Sequence, residues 1–339
     1  MNFRTAEGAS YEGKDEVGHD IFKVSIPLDD HGYFGRQCPS CQQIFRVNHA
    51  DYEAAPEDLV LWCTYCGHQA PHSEFLTQQQ KDRLMQVATD AGMQLIDNTI
   101  GKAFRDMARR TAGNKYVRVE YRPRPFFPTP LPGIDEEALI RERTCPTCHV
   151  RYSVFGDHRF CPFSGPLSPS DVAADALAAE TAKLDALASI PAEATPALRE
   201  QGVFDRIYVD TLGSVVGTVE TLAKDVFAAQ VANATELLTG KGNVFQRLDD
   251  LADLFAAHVR ADLRATPGIS WDELKRLWAA RHVHTHNGGV VDERYLRAVP
   301  NSPLRLGQRV IVSEAEARQA ITLGRLLCLA ITQVSGSAA

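Results

Sequence analysis

No run of apolar residues in this chain approaches the ~20 residues that a membrane-spanning helix needs. Residues 1–8 also lack the apolar core of a secretory signal peptide. We therefore expect a cytoplasmic protein that does not enter a membrane. The 339 residues are 44% apolar and 23% charged, which is ordinary for globular proteins and long enough for two or three domains. The net charge of −7 identifies no partner, because charge is unevenly distributed along the chain.

Cysteine is not abundant, but its spacing is informative. Six of the eight cysteines fall in Cys-x-x-Cys pairs, which in a chain without a signal peptide indicates metal binding rather than disulfides. Cys38 and Cys41 are followed after 21 residues by Cys63 and Cys66. This arrangement is typical of a zinc ribbon, in which four thiolates surround a tetrahedral Zn²⁺. Four protein ligands leave no position for water, so we predict a structural zinc site.

A second, degenerate ribbon is predicted over residues 145–165. Three of its ligand positions carry cysteine: Cys145, Cys148 and Cys161. The fourth carries Ser164, a poor Zn²⁺ ligand. Either His158 or His149 completes a Cys₃His site, or the metal has been lost and the hairpin persists on packing. His158 is the better candidate, because it lies three residues before Cys161.

The region between the ribbons, 74–144, combines a helix with a basic tract. Apolar residues recur at helical intervals over 74–114, which predicts a long amphipathic helix. The segment from Lys102 to Arg124 contains eight basic residues and only two acidic ones. Segment 116–122 alternates with period two, so a strand there would present Arg118 and Arg122 on one face. With aromatic neighbours these arginines form a candidate nucleic-acid surface; the alternative is a solvated helix face followed by a ribbon strand.

The C-terminal half is predicted to be helical. Residues 166–200 are rich in alanine and poor in large apolar residues, so we interpret them as a helical spacer. Residues 201–339 contain four stretches with helical periodicity, which predicts a four-helix bundle. The expected fold is thus a multidomain α+β protein with this division: 1–73, first ribbon; 74–144, helix, basic strand and proline-rich connector; 145–165, second ribbon; 166–200, spacer; 201–339, helical bundle.

A polar motif occupies the end of the third predicted helix of the bundle. Ser270 and Glu273 form a capping-box pattern that starts a helix near Trp271, and Asn287 followed by two glycines is a helix-stop signal. Arg281 and His286 therefore lie in its final two turns. On a straight helix they diverge by roughly 140°, so their convergence needs long side chains or a loosened last turn.

The string Arg281-His282-x-x-x-His286-Asn287-x-Gly289-x-Val291-Asp292 resembles the HEPN ribonuclease motif. The resemblance covers about the last third of the chain. It implies a homodimer with a composite, metal-independent site that cleaves RNA to cyclic phosphate ends, in a toxin or antiviral defence setting. Arg281 would stabilise the phosphate and His286 would transfer protons, because arginine stays charged and histidine titrates near neutrality. His282 would orient His286 or bind substrate. Asn287 would bind RNA or cap the helix.

Two other interpretations of the motif stay open. His282, His284 and His286 could form a transition-metal site, although no glutamate follows as in a His-Glu-x-x-His zinc hydrolase. Alternatively, Arg281 could pair with a carboxylate inside a catalytically silent module. The leading expectation is an endoribonuclease that acts on RNA, with ribbons that recognise nucleic acid or a protein partner. The runner-up is a non-catalytic adaptor built from the same parts.

Overall fold

The computed structural model describes residues 3–122, 125–135, 139 and 141–335. The protein is mixed α/β, with small antiparallel sheets in the N-terminal half followed by helices. It divides into two compact units, unit 1 (Met1–Pro166) and unit 2 (Leu167–Ala339). Within the described residues, none of the helices combines the length and the apolarity that a bilayer crossing requires.

Unit 1 contains short strands that pair into hairpins. The strands are β1 (Ala9–Lys14), β2 (Asp20–Val24), β3 (Tyr33–Gln37), β4 (Ile44–Asn48), β5 (Val60–Trp62), β6 (Gln69–Pro71), β7 (Arg143–Thr144), β8 (Arg151–Val154), β9 (Phe160–Cys161) and β10 (Gly165–Pro166). Three two-stranded sheets pair β1 with β2, β5 with β6, and β9 with β10. The fourth sheet has the order β3-β4-β8-β7, so it joins a hairpin of each ribbon.

The shared sheet makes the two ribbons one folded body rather than separate domains. Strand β4 pairs antiparallel with β8, with Phe45 opposite Val154 and Val47 opposite Tyr152, and all four side chains are buried. Burial of apolar side chains on both hairpins stabilises the pairing. The three predicted ranges 1–73, 74–144 and 145–165 all fall within unit 1.

Two helices lie between the hairpins of unit 1: α1 (His49–Glu53) and α2 (Gln78–Thr111). Helix α2 confirms the long helix predicted over 74–114, and it begins with a capping box between Thr77 and Gln80. The Gln80 side chain also donates to the backbone oxygen of Gly35 at 2.8 Å, which ties the start of α2 to β3. Polar contacts of this kind position α2 within unit 1.

The strand predicted over 116–122 is absent from the structure of this described segment. The Asn114 side chain instead accepts hydrogen bonds from the backbone N–H groups of Tyr116 and Val117, at 2.8 and 3.2 Å. Asparagine competes with regular structure through such local bonds, and alternation alone supplies no pairing partner. Pro123 and Arg124, which the basic tract and the connector included, lie outside the described residues.

Unit 2 is helical. Its helices are α3 (Pro169–Ala188), α4 (Thr195–Glu200), α5 (Val203–Gln230), α6 (Ala234–Leu238), α7 (Leu248–Leu254), α8 (Trp271–Asn287), α9 (Glu293–Ala298) and α10 (Glu314–Ser335). One apolar core collects buried residues from α3, α5, α7, α8 and α10. The second helix predicted for the bundle is shorter than expected. A π-helical turn (Phe255–Val259) follows α7 and ends at Arg260, whose φ of 61° is left-handed.

The alanine-rich segment is not a spacer. Leu177 and Leu184 of α3 are fully buried and belong to the core of unit 2. They are seven residues apart, so they lie on one face of the helix, and the alanines occupy much of the rest of the surface. The predicted boundary near residue 200 therefore moves to residue 166.

Candidate functional site

Helix α8 carries the Arg281–His286 motif opposite a buried apolar face. As predicted, Ser270 caps its start by accepting a hydrogen bond from the N–H of Glu273 at 3.4 Å. Leu274, Leu277 and Val283 are essentially inaccessible, and they fix the rotation of the helix against the core of unit 2. The helix continues to Asn287 and closes at Gly288, where φ is 58°.

The segment after α8 turns back tightly along the helix. A Cβ on Gly289 would lie 2.7 Å from the His284 ring, so this position requires glycine. His284 Nε2 lies 3.0 Å from the backbone oxygen of Val310, whose N–H donates to the Gly289 oxygen at 2.8 Å. His284 therefore contacts the segment between α8 and α9, residues 288–292, which we call the exit loop. Burial lowers its pKa, which disfavours the imidazolium form.

A cavity of about 560 Å³ brings the predicted catalytic residues Arg281, His282 and His286 together. The wall also contains charged residues from the start of α8, Asp272 and Lys275, and from other segments: Arg247, Asp249, Asp250, Arg294 and Arg297. Trp278 supplies an aromatic side to this cavity. Helix α8 stays α-helical through Asn287, and Arg281 and His286 both line this cavity. Two of its cationic residues are paired within the wall, Lys275 with Asp249 and Arg247 with Asp250.

The Arg281 guanidinium is only partly engaged by the protein. Its Nη1 donates to Gln246 Oε1 at a long 3.4 Å. Its buried Nε has no hydrogen-bond partner among the described residues. A buried donor without a partner is unfavourable, so this contact contributes little to holding the side chain in place.

His282 and His286 lie side by side, with ring centroids 4.7 Å apart. They are one helical turn apart on α8, so they share a face. Burial lowers the pKa of His282, and the positive charge of Arg294 and the neighbouring His286 lower it further. His282 is therefore neutral at neutral pH and can accept a proton.

The structure assigns a local contact to Asn287, the other motif residue. Its side-chain amide donates to the backbone oxygen of Val290 at 2.7 Å, which stabilises the turn after α8. Asp292 accepts a hydrogen bond from the N–H of Tyr295 at 2.7 Å and so caps α9. That cap fixes the first turn of α9, which contains Arg294.

Sequence reasoning missed Arg294, Arg247 and Gln246 as members of this cavity. The pattern Asp292-Glu293-Arg294 directly after the glycine exit was the available signal for Arg294, since an aspartate there predicts a second helix start. Gln246 and Arg247 come from the segment before α7, and no local pattern links that segment to α8.

Arg118 and Arg122 belong to unit 1, in the segment after α2. Both side chains are largely exposed, and both lie near Glu120, at 3.8 and 4.0 Å. Surface pairs of this length contribute little to stability, so the guanidinium groups are accessible to a ligand.

The four cysteines of the first predicted ribbon lie close together. The ligand atoms of Cys38, Cys41, Cys63 and Cys66 all lie within 4.8 Å of one another. Sγ of Cys38 is 3.7 Å from Sγ of Cys66, and Sγ of Cys41 is 3.6 Å from Sγ of Cys63. A tetrahedral Zn²⁺ with bonds of about 2.3 Å would separate its sulfur ligands by roughly 3.8 Å. This cluster fits a metal ion.

The second cluster consists of Cys145, Cys148 and Cys161. The structure does not bring the expected ligand His158 into this group. His158 is buried, and its Nε2 lies 2.9 Å from the hydroxyl of Tyr152. The alternative His149 is exposed. Ser164 Oγ instead lies 3.3 Å from Cys145 Sγ. In the described part of the chain, the two cysteine clusters are the only groups of three or more such donors at metal-binding distance.

Comparisons with protein-family models, with curated proteins and with solved structures found no match to this chain.

Proposed function

We propose that unit 2 is a metal-independent endoribonuclease of the HEPN type, acting in the cytoplasm. The observation that carries the proposal is the cavity in which Arg281, His282 and His286 lie together. Five lysine and arginine residues line it against three aspartates, and this excess of positive charge favours a polyanion. The adjacent Trp278 favours a base or sugar beside the phosphate. The resemblance of the motif to the HEPN pattern gives the reaction class.

The proposed reaction is an internal transesterification of RNA. A base removes the proton from a 2′-hydroxyl, whose oxygen attacks the adjacent phosphorus. The bond to the 5′-oxygen breaks, and an acid protonates that oxygen. The products are a 2′,3′-cyclic phosphate and a 5′-hydroxyl. Arg281 stabilises the negative charge that develops on the phosphoryl oxygens, because its guanidinium stays charged and its planar fork matches phosphate oxygens.

His286 transfers protons in this proposal, and His282 orients its ring, since the two ring centroids lie only 4.7 Å apart. The second acid–base group comes from another copy of the chain in a two-fold homodimer, because an isologous interface presents the same motif twice. The oligomeric state in solution, measured together with activity, tests this part of the proposal.

Unit 1 is proposed to hold Zn²⁺ in the Cys38/Cys41/Cys63/Cys66 cluster as a structural ion. Thiolate ligands in tetrahedral positions favour zinc. Unit 1 would also contact the RNA backbone through the exposed Arg118 and Arg122. Replacing both by alanine should weaken RNA binding and reduce its salt dependence, because released counterions account for that dependence.

The test is cleavage of labelled single-stranded RNA by the purified full chain in excess EDTA. We expect His286→Ala to lose about 100-fold or more of the rate, since a positioned acid–base group typically contributes ~10²–10⁴-fold. Arg281→Ala should lose about as much, since removal of one donor to a developing negative charge typically costs ~10²–10³-fold. His284→Ala is the matched control on the same helix, because His284 contacts the exit loop. Arg206→Ala is an exposed arginine control. Equal cleavage by all five proteins would identify a contaminant.

A second candidate is a non-catalytic adaptor in which ribbons and helices both bind macromolecules. The hydrogen bond from Arg281 to Gln246 favours it, because that bond gives the arginine a structural contact. In this case a folded wild-type dimer does not cleave RNA, and Arg281→Ala lowers stability alone.

A further inference from the structure

Four short loops in unit 1 share one backbone geometry. The residue that follows the second ligand position of each loop has a left-handed φ: Gln42 at 62°, Gly67 at 72°, His149 at 62° and Gly165 at 81°. Residues other than glycine seldom adopt this conformation, so its recurrence at Gln42 and His149 shows that the loop imposes it. The loop that ends at Ser164 and Gly165 is therefore built like the three loops that end in cysteine.

Hydrogen bonds to sulfur show the same equivalence. Cys38 Sγ accepts from the N–H groups of Ser40 and Cys41, at 3.4 and 3.5 Å. Cys161 Sγ accepts from the N–H groups of Phe163 and Ser164 at the same two distances. Such bonds stabilise a thiolate. Ser164 thus occupies the position in its loop that Cys41 occupies in the first loop.

The Ser164 oxygen lies where a fourth ligand atom belongs. A Zn–S bond of about 2.3 Å and a Zn–O bond of about 2.0 Å at the tetrahedral angle separate sulfur from oxygen by roughly 3.5 Å. Ser164 Oγ is 3.3 Å from Cys145 Sγ, and Cys148 Sγ is 3.5 Å from Cys161 Sγ. The pairing across the cluster repeats that of the four-cysteine cluster, in which the two cross pairs are 3.7 and 3.6 Å apart.

The packing around the loop holds Ser164 in place. The Trp62 ring of β5 stacks on Phe160 of β9 with centroids 5.9 Å apart, and the Trp62 backbone N–H donates to the backbone oxygen of Pro162 at 2.9 Å. A Cβ on Gly165 would lie 2.8 Å from the Trp62 ring. The loop therefore cannot shift far from the other three ligands.

We propose that Cys145, Cys148 and Cys161 bind a second Zn²⁺, with the oxygen of Ser164 or of a water molecule at the fourth vertex. This vertex is the difference between the two sites. A neutral oxygen is a weaker donor to zinc than a thiolate, so the second ion exchanges faster and binds more weakly than the first. The second site can also take an added thiol or imidazole at that vertex. His158 has no part in it.

The experiment measures zinc per chain in the intact protein and its release to a chromophoric chelator. The wild type should carry two zinc ions, one for each cluster, and lose one of them readily. Ser164→Cys should make the second ion as resistant to removal by the chelator as the first. We expect its zinc affinity to rise by more than ~100-fold, since even changes of residues outside the ligand set alter affinity ~10–100-fold. Ser164→Ala should keep a labile second ion, because water replaces the hydroxyl. Cys148→Ser should leave one ion.

Cobalt substitution supplies a second readout that does not depend on stability. The intensity of the thiolate-to-cobalt absorption should correspond to seven thiolate ligands in the wild type and to eight in Ser164→Cys. His158→Gln should change neither the stoichiometry nor the spectrum. One zinc ion in both the wild type and Ser164→Cys would overturn the proposal, and so would a wild-type second ion as resistant as the first. Selective loss of the second ion in His158→Gln would restore the histidine as its ligand.

Discussion

Each of the two units of this protein has its own kind of interior. Unit 1 is made of hairpins with strands of two to six residues, joined around two cysteine clusters. Its interior also includes polar pairs such as Arg46 with Asp29, whose charged atoms are 3.2 Å apart. Unit 2 has one apolar core that extends through its longer helices. Short hairpins bury little apolar surface, so in our proposal zinc ions stabilise unit 1, whereas the packing of an apolar core stabilises unit 2.

This difference also separates the proposed roles. The cysteine clusters contribute structure, and the cavity beside α8 contributes the chemistry. Conditions that remove metal should therefore affect one unit, and cavities made in the apolar core should affect the other.

Metal removal should have the largest effect. Zinc ligation stabilises small metal-dependent folds by roughly 10–16 kcal/mol in apparent terms, so stripping both clusters should unfold unit 1. We expect near-UV circular dichroism and limited proteolysis to show loss of unit 1, while most helical signal from unit 2 remains. Cys328→Ser is the matched cysteine control, because Cys328 lies in the unit 2 core and should not change zinc content. Loss of both units together would contradict independent stabilisation.

A substitution that leaves an empty space in the apolar core of unit 2 should have the opposite pattern, destabilising unit 2 and leaving unit 1 unchanged. Phe255 is fully buried between Phe227 and the rest of the core. Phe255→Ala should lower the free energy of unfolding of unit 2 by about 3–5 kcal/mol, which urea titration followed by circular dichroism would measure. Zinc content should stay at the wild-type value. Release of zinc by this variant would mean that the two units unfold together.

The assignment of α3 to the core of unit 2 predicts a smaller, graded effect. Leu184 is fully buried, whereas Leu187 on the same helix is only partly buried. Leu184→Ala should destabilise unit 2 by about 2–5 kcal/mol, and the chemically identical Leu187→Ala by clearly less. Equal and negligible effects of both substitutions would return this helix to the role of a spacer.

The pH dependence of unit 2 should be the smallest effect. The pKa values of His282 and His284 lie below the ordinary value of about 6.5, mainly because both side chains are partly buried. Below pH 6.5 the unfolded chain binds protons that these folded imidazoles still resist. The thermal midpoint of unit 2 should therefore fall as pH decreases from about 6.5, and less so in His284→Gln. A midpoint that rises on acidification would contradict the direction of both shifts.

Local patterns predicted the elements whose determinants are adjacent in the sequence. Helix α8 followed from the Ser270 cap and the glycine stop, and the first cysteine cluster followed from paired spacing. The pairing of β4 with β8 joins residues about 100 positions apart, such as Phe45 and Val154, and periodicity contains no information on such partners. The alanines of α3 hid its core residues because composition averages over faces. Asp292 caps α9, and the first turn of that helix places Arg294 in the wall of the cavity. The cap can be read from the sequence, but the packing of α9 beside α8 cannot.

The catalytic role of the Arg281–His286 cavity is tested most directly by the rate of RNA cleavage by His286→Ala and His284→Ala in excess EDTA, with retained zinc measured in each sample. We expect His284→Ala to cleave like the wild type, and His286→Ala to be slower by about 100-fold or more with the same zinc content. Equal rates for the two variants would contradict a catalytic role for the Arg281–His286 cavity. So would wild-type cleavage that stops in EDTA and returns only when a divalent cation is added.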